Sequence, residues 1–235
     1  MIAAIQARDL KAVERRPDVF VITADQVASR RDADRTGALV ELLTDRYADQ
    51  LVLPADQTAG DEIQLVTRSA GTALAIVLDA TRIGRWSVGL GVGGIRMPLP
   101  DAARKASGSA FIAAREAVGT AKRADGRFAL RAAGDPRAAA DLEALVRLLL
   151  LLRERRTEPG WEVVELMRAG HQQKEAAALL DVSPAAVSAR LKAAMWRAEE
   201  EARPVLERLL AELDAELDSG LPTDLAGESG TAAAE

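Results

Sequence analysis

The sequence predicts an α+β domain followed by an all-α domain that carries a helix-turn-helix. Strand and helix signals alternate through residues 1–133, whereas beyond residue 134 the strand signal ends and the chain becomes rich in Ala, Leu, Arg and Glu. The 235 residues, 49% of them hydrophobic, suffice to build two cores. We therefore expect an α+β domain at 1–134, a helical domain at 135–218 with the helix-turn-helix at 161–198, and a disordered acidic tail at 219–235.

The elements of the first domain follow from hydrophobic periodicity. Short runs of apolar and β-branched residues predict strands, and leucines spaced three or four residues apart predict helices. Strands are expected at residues 19–23, 51–53, 63–66, 86–95 and 127–130, and helices at 35–48, 69–79 and 109–122. This order, β-α-β-β-α-β-α-β, is typical of a mixed sheet with helices on one or both faces.

The second domain is predicted to be helical throughout. Its first helix spans residues 137–156 and ends before Pro159 and Gly160. The expected apolar face of this helix comprises Leu142, Leu145, Val146, Leu149 and Leu152. Three shorter helical segments follow. The last, residues 204–217, carries a stripe of leucines that predicts either a homo-oligomer interface or packing onto its own domain.

Residues 161–198 meet the requirements of a helix-turn-helix. Ala177 supplies the small side chain that the first helix needs where the second helix crosses it. Asp181 opens the turn at a position where glycine is commonest, and aspartate tolerates the left-handed conformation needed there. Ser183 and Pro184 suit the N-cap and the first position of the second helix. The buried face of that helix is expected to comprise Val187, Leu191 and Ala194.

The second helix, residues 184–197, is the predicted DNA-reading helix. Its outer face is expected to present Ser188, Arg190, Lys192 and Arg197. The start of the preceding helix, where backbone N–H groups favour a phosphate, offers Gln172, Gln173 and Lys174. The stretch resembles the helix-turn-helix of LuxR-type regulators and of sigma-factor region 4, which implies double-stranded DNA as a partner. The alternative is a plain helical hairpin with a solvated charged face.

Composition and charge narrow the classes of function. The chain has no cysteine, which excludes disulfides and thiolate zinc sites, and its one histidine, His171, excludes a multi-histidine metal site. A catalytic metal would be a hard cation such as Mg²⁺ held by carboxylates. The net charge of −5 reflects a C-terminal excess, because residues 199–235 hold 2 basic and 11 acidic side chains. Without a signal-peptide pattern or a long apolar run, the expected location is the bacterial cytosol and nucleoid, with no membrane partner.

Motifs in the first domain combine acidic residues with a glycine-rich strand. They are D-x-x-x-S-R at residues 25–30, G-D-E-I-Q at 60–64, G-x-G-x-G at 89–93 and G-x-A-F-x-x-A-R-E at 108–116. In this order they resemble the motifs of the SatD family, small bacterial proteins with a nucleotide-cyclase-like domain often joined to a helix-turn-helix. The resemblance covers about residues 17–200 and implies a nucleotide-cyclase or ferredoxin-like mixed sheet in the first domain.

The same resemblance implies a site. Asp25 and Asp61 match the two metal-binding acids of cyclase-like enzymes, and Arg115 matches their nucleotide-binding arginine. Mg²⁺ with a small nucleotide is the implied cofactor and ligand. Cyclases place an asparagine four residues before that arginine, where this chain has Phe111, a side chain that cannot hydrogen-bond a ribose or a phosphate. A domain without turnover is therefore favoured over an active enzyme.

The glycines of residues 89–94 also satisfy the pattern G-x-G-x-x-G of dinucleotide-binding proteins. Such a site needs a helix immediately after the glycines, and Pro98 and Pro100 prevent one here. We therefore expect these glycines to admit the close approach of a helix to the strand.

Three hypotheses of function follow, from different classes. The leading hypothesis is a DNA-binding transcriptional regulator whose cyclase-like domain senses a ligand or mediates assembly as a homo-oligomer. The alternative is a Mg²⁺-dependent enzyme that binds or processes a nucleotide. The third is a structural or interaction protein whose first domain self-associates.

Overall fold

The computed structural model of the protein describes residues 18–27, 35–58, 60–82 and 84–219, without the side chains of Asp18 and residues 214–219. Ser29 and Arg30 of the first motif, the side chain of Leu217 and the predicted acidic tail beyond residue 219 lie outside the described residues. The strands are β1 (Asp18–Gln26), β2 (Leu51–Gln57), β3 (Glu62–Thr67), β4 (Trp86–Gly94) and β5 (Phe128–Ala132). The helices are α1 (Thr36–Tyr47), α2 (Ala70–Arg82), α3 (Ser109–Ala121), α4 (Pro136–Glu154), α5 (Glu158–Arg168), α6 (Gln173–Leu179), α7 (Pro184–Ala193) and α8 (Trp196–Ser219).

The strands form one mixed sheet in the order β2-β3-β1-β4-β5. β1 lies at its centre, antiparallel to β3 and to β4, while β2 is antiparallel to β3 and β5 is parallel to β4. The register places Asp25 opposite Glu62 on β3 and Ser87 on β4. The predicted α+β class, the mixed sheet and the order of its elements are confirmed.

Helix α3 packs on one face of the sheet, directly against the backbone of β4. A Cβ atom at Gly89 or at Gly91 would overlap backbone atoms of α3. The absence of a side chain at these positions therefore sets how closely the helix approaches the strand. The expectation drawn for the glycines of this strand is confirmed. The core on this face includes Val19, Val21, Leu53, Val66, Ile95, Phe111 and Ala114.

The opposite face of the sheet is covered by α1, α2, α4 and α8. One hydrophobic core joins buried residues of β1, β3, β4 and β5 to leucines of all four helices, including Leu142 and Leu149 of α4 and Leu206 and Leu210 of α8. Because α4 and α8 pack against the sheet and against each other, this core crosses the boundary predicted at residue 134. The leucine stripe of the last helix thus packs onto its own chain.

Three details of the helical half differ from the sequence prediction. Leu145 and Leu152, expected on the buried face of α4, are 47% and 38% exposed. The side of α4 that faces the sheet carries Leu142, Val146 and Leu149 instead. Pro159 and Gly160 lie in the first turn of α5, where a proline without an N–H is tolerated. The last helix begins at Trp196 and contains Pro204 rather than starting there.

None of the described helices is long and apolar enough to cross a lipid bilayer.

Candidate functional site

Helices α5, α6 and α7 pack around a small core of their own. Its buried members are Trp161, Val163, Val164, Ala176, Ala177, Val187, Leu191 and Ala194. Ala177 is 3% exposed and lies in this core between α6 and α7, at the position where the sequence requires a small residue. Val187, Leu191 and Ala194 are buried as predicted, so α7 turns one defined face inward.

The turn between α6 and α7 has the predicted local structure. Asp181 adopts the left-handed conformation, with φ of 50°. Ser183 caps α7 by accepting a hydrogen bond from the backbone N–H of Ala186 at 3.1 Å. Pro184 follows in the first turn of α7, where its missing N–H costs no helical hydrogen bond.

The outer face of α7 is made of small residues and one lysine. Ser188 and Lys192 are exposed there, together with Ala185, Ala189 and Ala193. A face with such short side chains lets a helix approach a flat or grooved partner closely. Two predicted members of this face lie elsewhere.

Arg190 and Arg197 are not on that outer face, which corrects their predicted placement. Arg190 is partly buried and turns back toward α5, with its guanidinium 3.5 Å from the Glu162 carboxylate. Arg197 is exposed but belongs to α8, because α7 ends at Ala193 instead of continuing to residue 197. Met195, between the two helices, has a left-handed backbone, with φ of 53°, that interrupts the helical path.

The start of α6 presents the other predicted contacts. Gln172, Gln173 and Lys174 are all exposed. The Glu175 carboxylate accepts a hydrogen bond from the Gln172 N–H at 2.8 Å and lies 3.7 Å from His171 Nδ1. This carboxylate already caps the helix. Among residues 171–175, Lys174 alone carries a fixed positive charge.

A buried ion cluster joins these helices to the rest of the protein. The Glu199 carboxylate of α8, 1% exposed, accepts hydrogen bonds from the guanidinium groups of Arg153, Arg156 and Arg168. Arg153 also donates to the Leu78 carbonyl at 2.9 Å, and Arg156 donates to the Ala194 carbonyl at 2.7 Å. The cluster therefore connects α2, α4, α5 and α8 with the residue that caps α7.

Trp161 of α5 forms part of the same cluster. The guanidinium carbons of Arg82, Arg153 and Arg156 lie 4.5, 4.9 and 4.4 Å from the centre of its ring. At these distances the π-face of the indole attracts cations. Arg82 pairs with the Glu165 carboxylate, whereas Arg153 and Arg156 share that of Glu199, so the ring offsets part of the excess positive charge beside Glu199.

The electrostatics of the cluster follow from burial and charge together. Burial alone would raise the pKa of the Glu199 carboxyl, but the charges and hydrogen bonds of the three arginines outweigh it and hold the pKa below 4.5. Burial lowers the pKa of Arg153 to about 10, although the charge of Glu199 opposes this shift. At neutral pH the carboxylate and Arg153 are therefore both charged.

None of the sequence motifs indicates this cluster, although the sequence contains one signal for it. Arg153 follows Leu142, Val146, Leu149 and Leu150 at helical spacing, so it falls on the buried face of α4. A charged residue on a buried face needs a partner of opposite charge. That signal was available, but the partner, Glu199, lies 46 residues further along the chain.

The predicted metal-binding acids lie side by side at one end of the sheet. Asp25 is the penultimate residue of β1, and the backbone carbonyl of Asp61 accepts a hydrogen bond from the N–H of the last one, Gln26, at 3.1 Å. The Asp25 carboxylate, however, binds Lys122 Nζ at 2.6 Å. Within the described ranges, no group of three or more acidic or histidine side chains could hold a metal ion. Mg²⁺ is commonly held by one or two carboxylates together with phosphates and waters, so the assignment of Asp25 and Asp61 as its ligands stays a prediction.

Arg115 lines a cleft that does not include Asp25, Asp61 or Lys122. The cleft has a volume of ≈ 830 Å³ and is lined by Arg96, Arg104 and Arg115 together with Gln64, Ser109 and Phe111 among others. Arg104 is paired with Asp56 at 2.8 Å. Phe111 is 9% exposed and packs in the core beneath the cleft, so it offers no polar group to a ligand.

Comparisons with known proteins assign this chain to no family. No protein-family model matches the chain, and no curated protein matches it. Among solved structures, it is similar to the crystal structure of a regulator of polyketide synthase expression from Bifidobacterium adolescentis, with 18% identity over 86% of this chain and 85% of that chain and a TM-score of 0.26. At that TM-score the similarity supports no statement about the function of this chain.

Proposed function

We propose that the protein binds double-stranded DNA through α7 and acts as a transcriptional regulator. The observation that carries the proposal is the division of α7 into two faces. Val187 and Leu191 bury one face against α5 and α6, while the opposite face, with Ser188 and Lys192, is exposed after a capped turn. A helix held in this way by two others is suited to enter the major groove.

The composition of the exposed face indicates how such a helix would read DNA. Alanines at 185, 189 and 193 allow close approach and can contact thymine methyl groups, while the Ser188 hydroxyl can hydrogen-bond base edges. Lys192 and Lys174 supply phosphate contacts from two neighbouring helices. With few cations the affinity of one copy is modest and falls with salt.

The resemblance to the SatD family remains part of this proposal, with the α+β half acting as a sensor or an assembly unit. The buried ion cluster supports such a role because it joins that half to the DNA-reading helices. Arg156 contacts both Glu199 and the carbonyl of Ala194. Arg156, in the link between α4 and α5, thus connects α8 with the residue that caps α7.

Selection from a random duplex library with the intact protein tests the proposal. The unmodified protein should enrich a common sequence motif. Ala189→Glu places a negative charge on the exposed face of α7 and should abolish enrichment, whereas Ala211→Glu, an equally exposed alanine on α8, should not. If the unmodified protein enriches no motif, or if both variants enrich it equally, the assignment of α7 as the DNA-reading helix is contradicted.

A second candidate function is the binding of a phosphorylated ligand in the cleft beside Arg115. Three arginines line this cleft, and its size lies within the range of small-molecule sites. Arginine guanidinium groups bind phosphate oxygens in pairs of hydrogen bonds. This candidate needs no catalysis and no metal ion, and it provides the sensor of the leading proposal with a ligand.

Thermal unfolding with ATP, GTP or pyrophosphate tests the cleft. A ligand that binds the folded protein raises its melting temperature as its concentration increases. Arg115→Ala should remove that rise, whereas Arg208→Ala, which removes an exposed arginine from α8, should leave it. The absence of any rise at millimolar ligand concentration would exclude these phosphates as ligands.

A further inference from the structure

Helix α4 is apolar on two adjacent faces, about a quarter turn apart, and only one of them is covered. Leu142, Val146 and Leu149 pack into the core beneath the sheet. Leu145, Leu148 and Leu152 lie toward solvent and are 47%, 57% and 38% exposed. A helix that is apolar around most of its circumference is normally buried on all sides. The outer face of α4 therefore exposes leucines that such a helix would normally bury against another apolar surface.

Helix α8 extends this apolar surface. Met195 and Val205 are 46% and 41% exposed and, with Ala198 and Ala202, border a groove of ≈ 270 Å³ between α8 and α4. These four residues recur at intervals of three and four positions, as do Leu145, Leu148 and Leu152 on α4. Two neighbouring helices with such rows form half of a helix bundle. We call this surface the α4–α8 face; it is formed by the outer leucines of α4, by Met195 just before α8, and by Ala198, Ala202 and Val205 of α8.

We propose that the α4–α8 face binds a second copy of the chain, with the two α4 helices antiparallel across a twofold axis at Leu148. The pattern of α4 is complementary to itself about that residue. Asp141 lies seven residues before Leu148 and Arg155 seven residues after it. Both side chains are exposed. In an antiparallel pair centred on Leu148, each Asp141 meets the Arg155 of the other copy, about 10 Å from the axis.

The apolar residues between these charges obey the same symmetry. Leu145 and Leu151 lie three residues before and after Leu148, and Ala144 and Leu152 lie four residues before and after it. Leu148 therefore meets Leu148 of the other copy at the axis, and Leu145 meets Leu151 on either side of it. In the next layer, the small Ala144 meets the large Leu152. Within α4, like charges do not face each other in this register, as an interface between identical surfaces requires.

The acidic tail is a poorer occupant of this face than a second copy. Residues 220–235 contain only two large apolar side chains, Leu221 and Leu225. A second copy of the chain supplies three large leucines from α4 alone, and in the pair the α4–α8 face of each copy covers that of the other. The inference does not depend on DNA binding, because its evidence lies on α4 and α8 rather than on α7.

Charge reversal tests the register of the proposed pair. The intact protein should elute as a dimer with its mass measured by light scattering. Asp141→Arg and Arg155→Asp, made singly, place like charges opposite each other twice and should raise the dimer dissociation constant about tenfold. The double variant Asp141→Arg/Arg155→Asp should restore it. A monomeric intact protein, or a double variant no tighter than the singles, would overturn the proposal.

A single introduced cysteine tests the identity of the partner. Because the chain has no cysteine, a disulfide in Leu148→Cys can form only with a second copy. Near a twofold axis the two thiols are within bonding range, so mild oxidation should convert this variant to a covalent dimer. Ala178→Cys, exposed on α6, is the matched control and should stay monomeric. Equal crosslinking of both variants, or of neither, would contradict the predicted axis and leave no support for a second copy at this face.

Discussion

Arg156 and Glu199 form an ion pair of 2.8 Å in which each side chain is only 1% exposed. The same guanidinium donates to the Ala194 carbonyl at the end of α7. A charged pair so deeply buried is costly to desolvate, and the hydrogen bonds that Arg156 donates through Nε and Nη2 offset part of that cost. Its Nη1 is buried without a hydrogen-bond partner among the described residues. In this protein, the pair ties the helices that cover the sheet to the helices proposed to read DNA.

Glu199→Gln should destabilise the protein strongly. The substitution keeps the size of the side chain but leaves the guanidinium groups of Arg153, Arg156 and Arg168 without their negative partner. Removing one member of a buried ion pair costs about 3–5 kcal/mol. Unfolding in urea should show this loss. Glu200→Gln, at the exposed neighbouring position, should change the free energy of unfolding by less than about 0.5 kcal/mol.

The contribution of Glu199 should depend on pH in a defined direction. Its pKa in the folded protein lies below 4.5, its ordinary value, so folding favours the charged form. The resulting stability is fully present above pH 4.5 and is lost as the pH falls through the folded pKa. The difference in unfolding free energy between the unmodified protein and Glu199→Gln should therefore be constant near neutrality and shrink below pH 4.5. A difference that grows on acidification would show that folding raises the pKa of Glu199 instead of lowering it.

Two glycine substitutions should have opposite effects on stability. Gly91→Ala would bring a methyl group into the backbone of α3, so either the helix or the strand must shift, at a cost of about 1–3 kcal/mol or more. Gly119 lies within α3 with nothing within 4 Å of its would-be Cβ, and Gly119→Ala should stabilise the helix by about 0.5–1 kcal/mol. Thermal unfolding of both variants should show a lower melting temperature for Gly91→Ala and a higher one for Gly119→Ala. A tolerated Gly91→Ala would mean that α3 is not held against β4 as described.

Local features were the most predictable from sequence. The αL turn at Asp181, the Ser183 cap and the buried Ala177 follow from the few residues around them, because backbone sterics and hydrogen-bond donors act over one turn. The role of the β4 glycines also followed, since two prolines ruled out the helix that the competing interpretation required.

Long-range packing could not be predicted in the same way. Nothing near Leu206 in the sequence indicates that it packs in the core beneath a sheet whose last strand ends at Ala132, 74 residues earlier. Periodicity marked Leu145 and Leu149 equally as apolar, and only the position of α4 on the sheet decides which of them is buried. Asp25 was predicted as a metal ligand, but its Lys122 partner lies 97 residues away in sequence, so the pairing could not be foreseen from local motifs.

The salt dependence of duplex DNA binding tests the central claim most directly. Fluorescence anisotropy of the intact protein with a labelled duplex should give a logarithm of the binding constant that falls linearly with the logarithm of salt concentration. Lys192→Ala should weaken binding and reduce the steepness of that line by about one unit, because it removes one phosphate contact. Lys105→Ala removes an exposed lysine that pairs with Asp101, far from α7 in sequence, and should leave the line unchanged. Identical lines for all three proteins, or no binding at low salt, would contradict DNA recognition by α7.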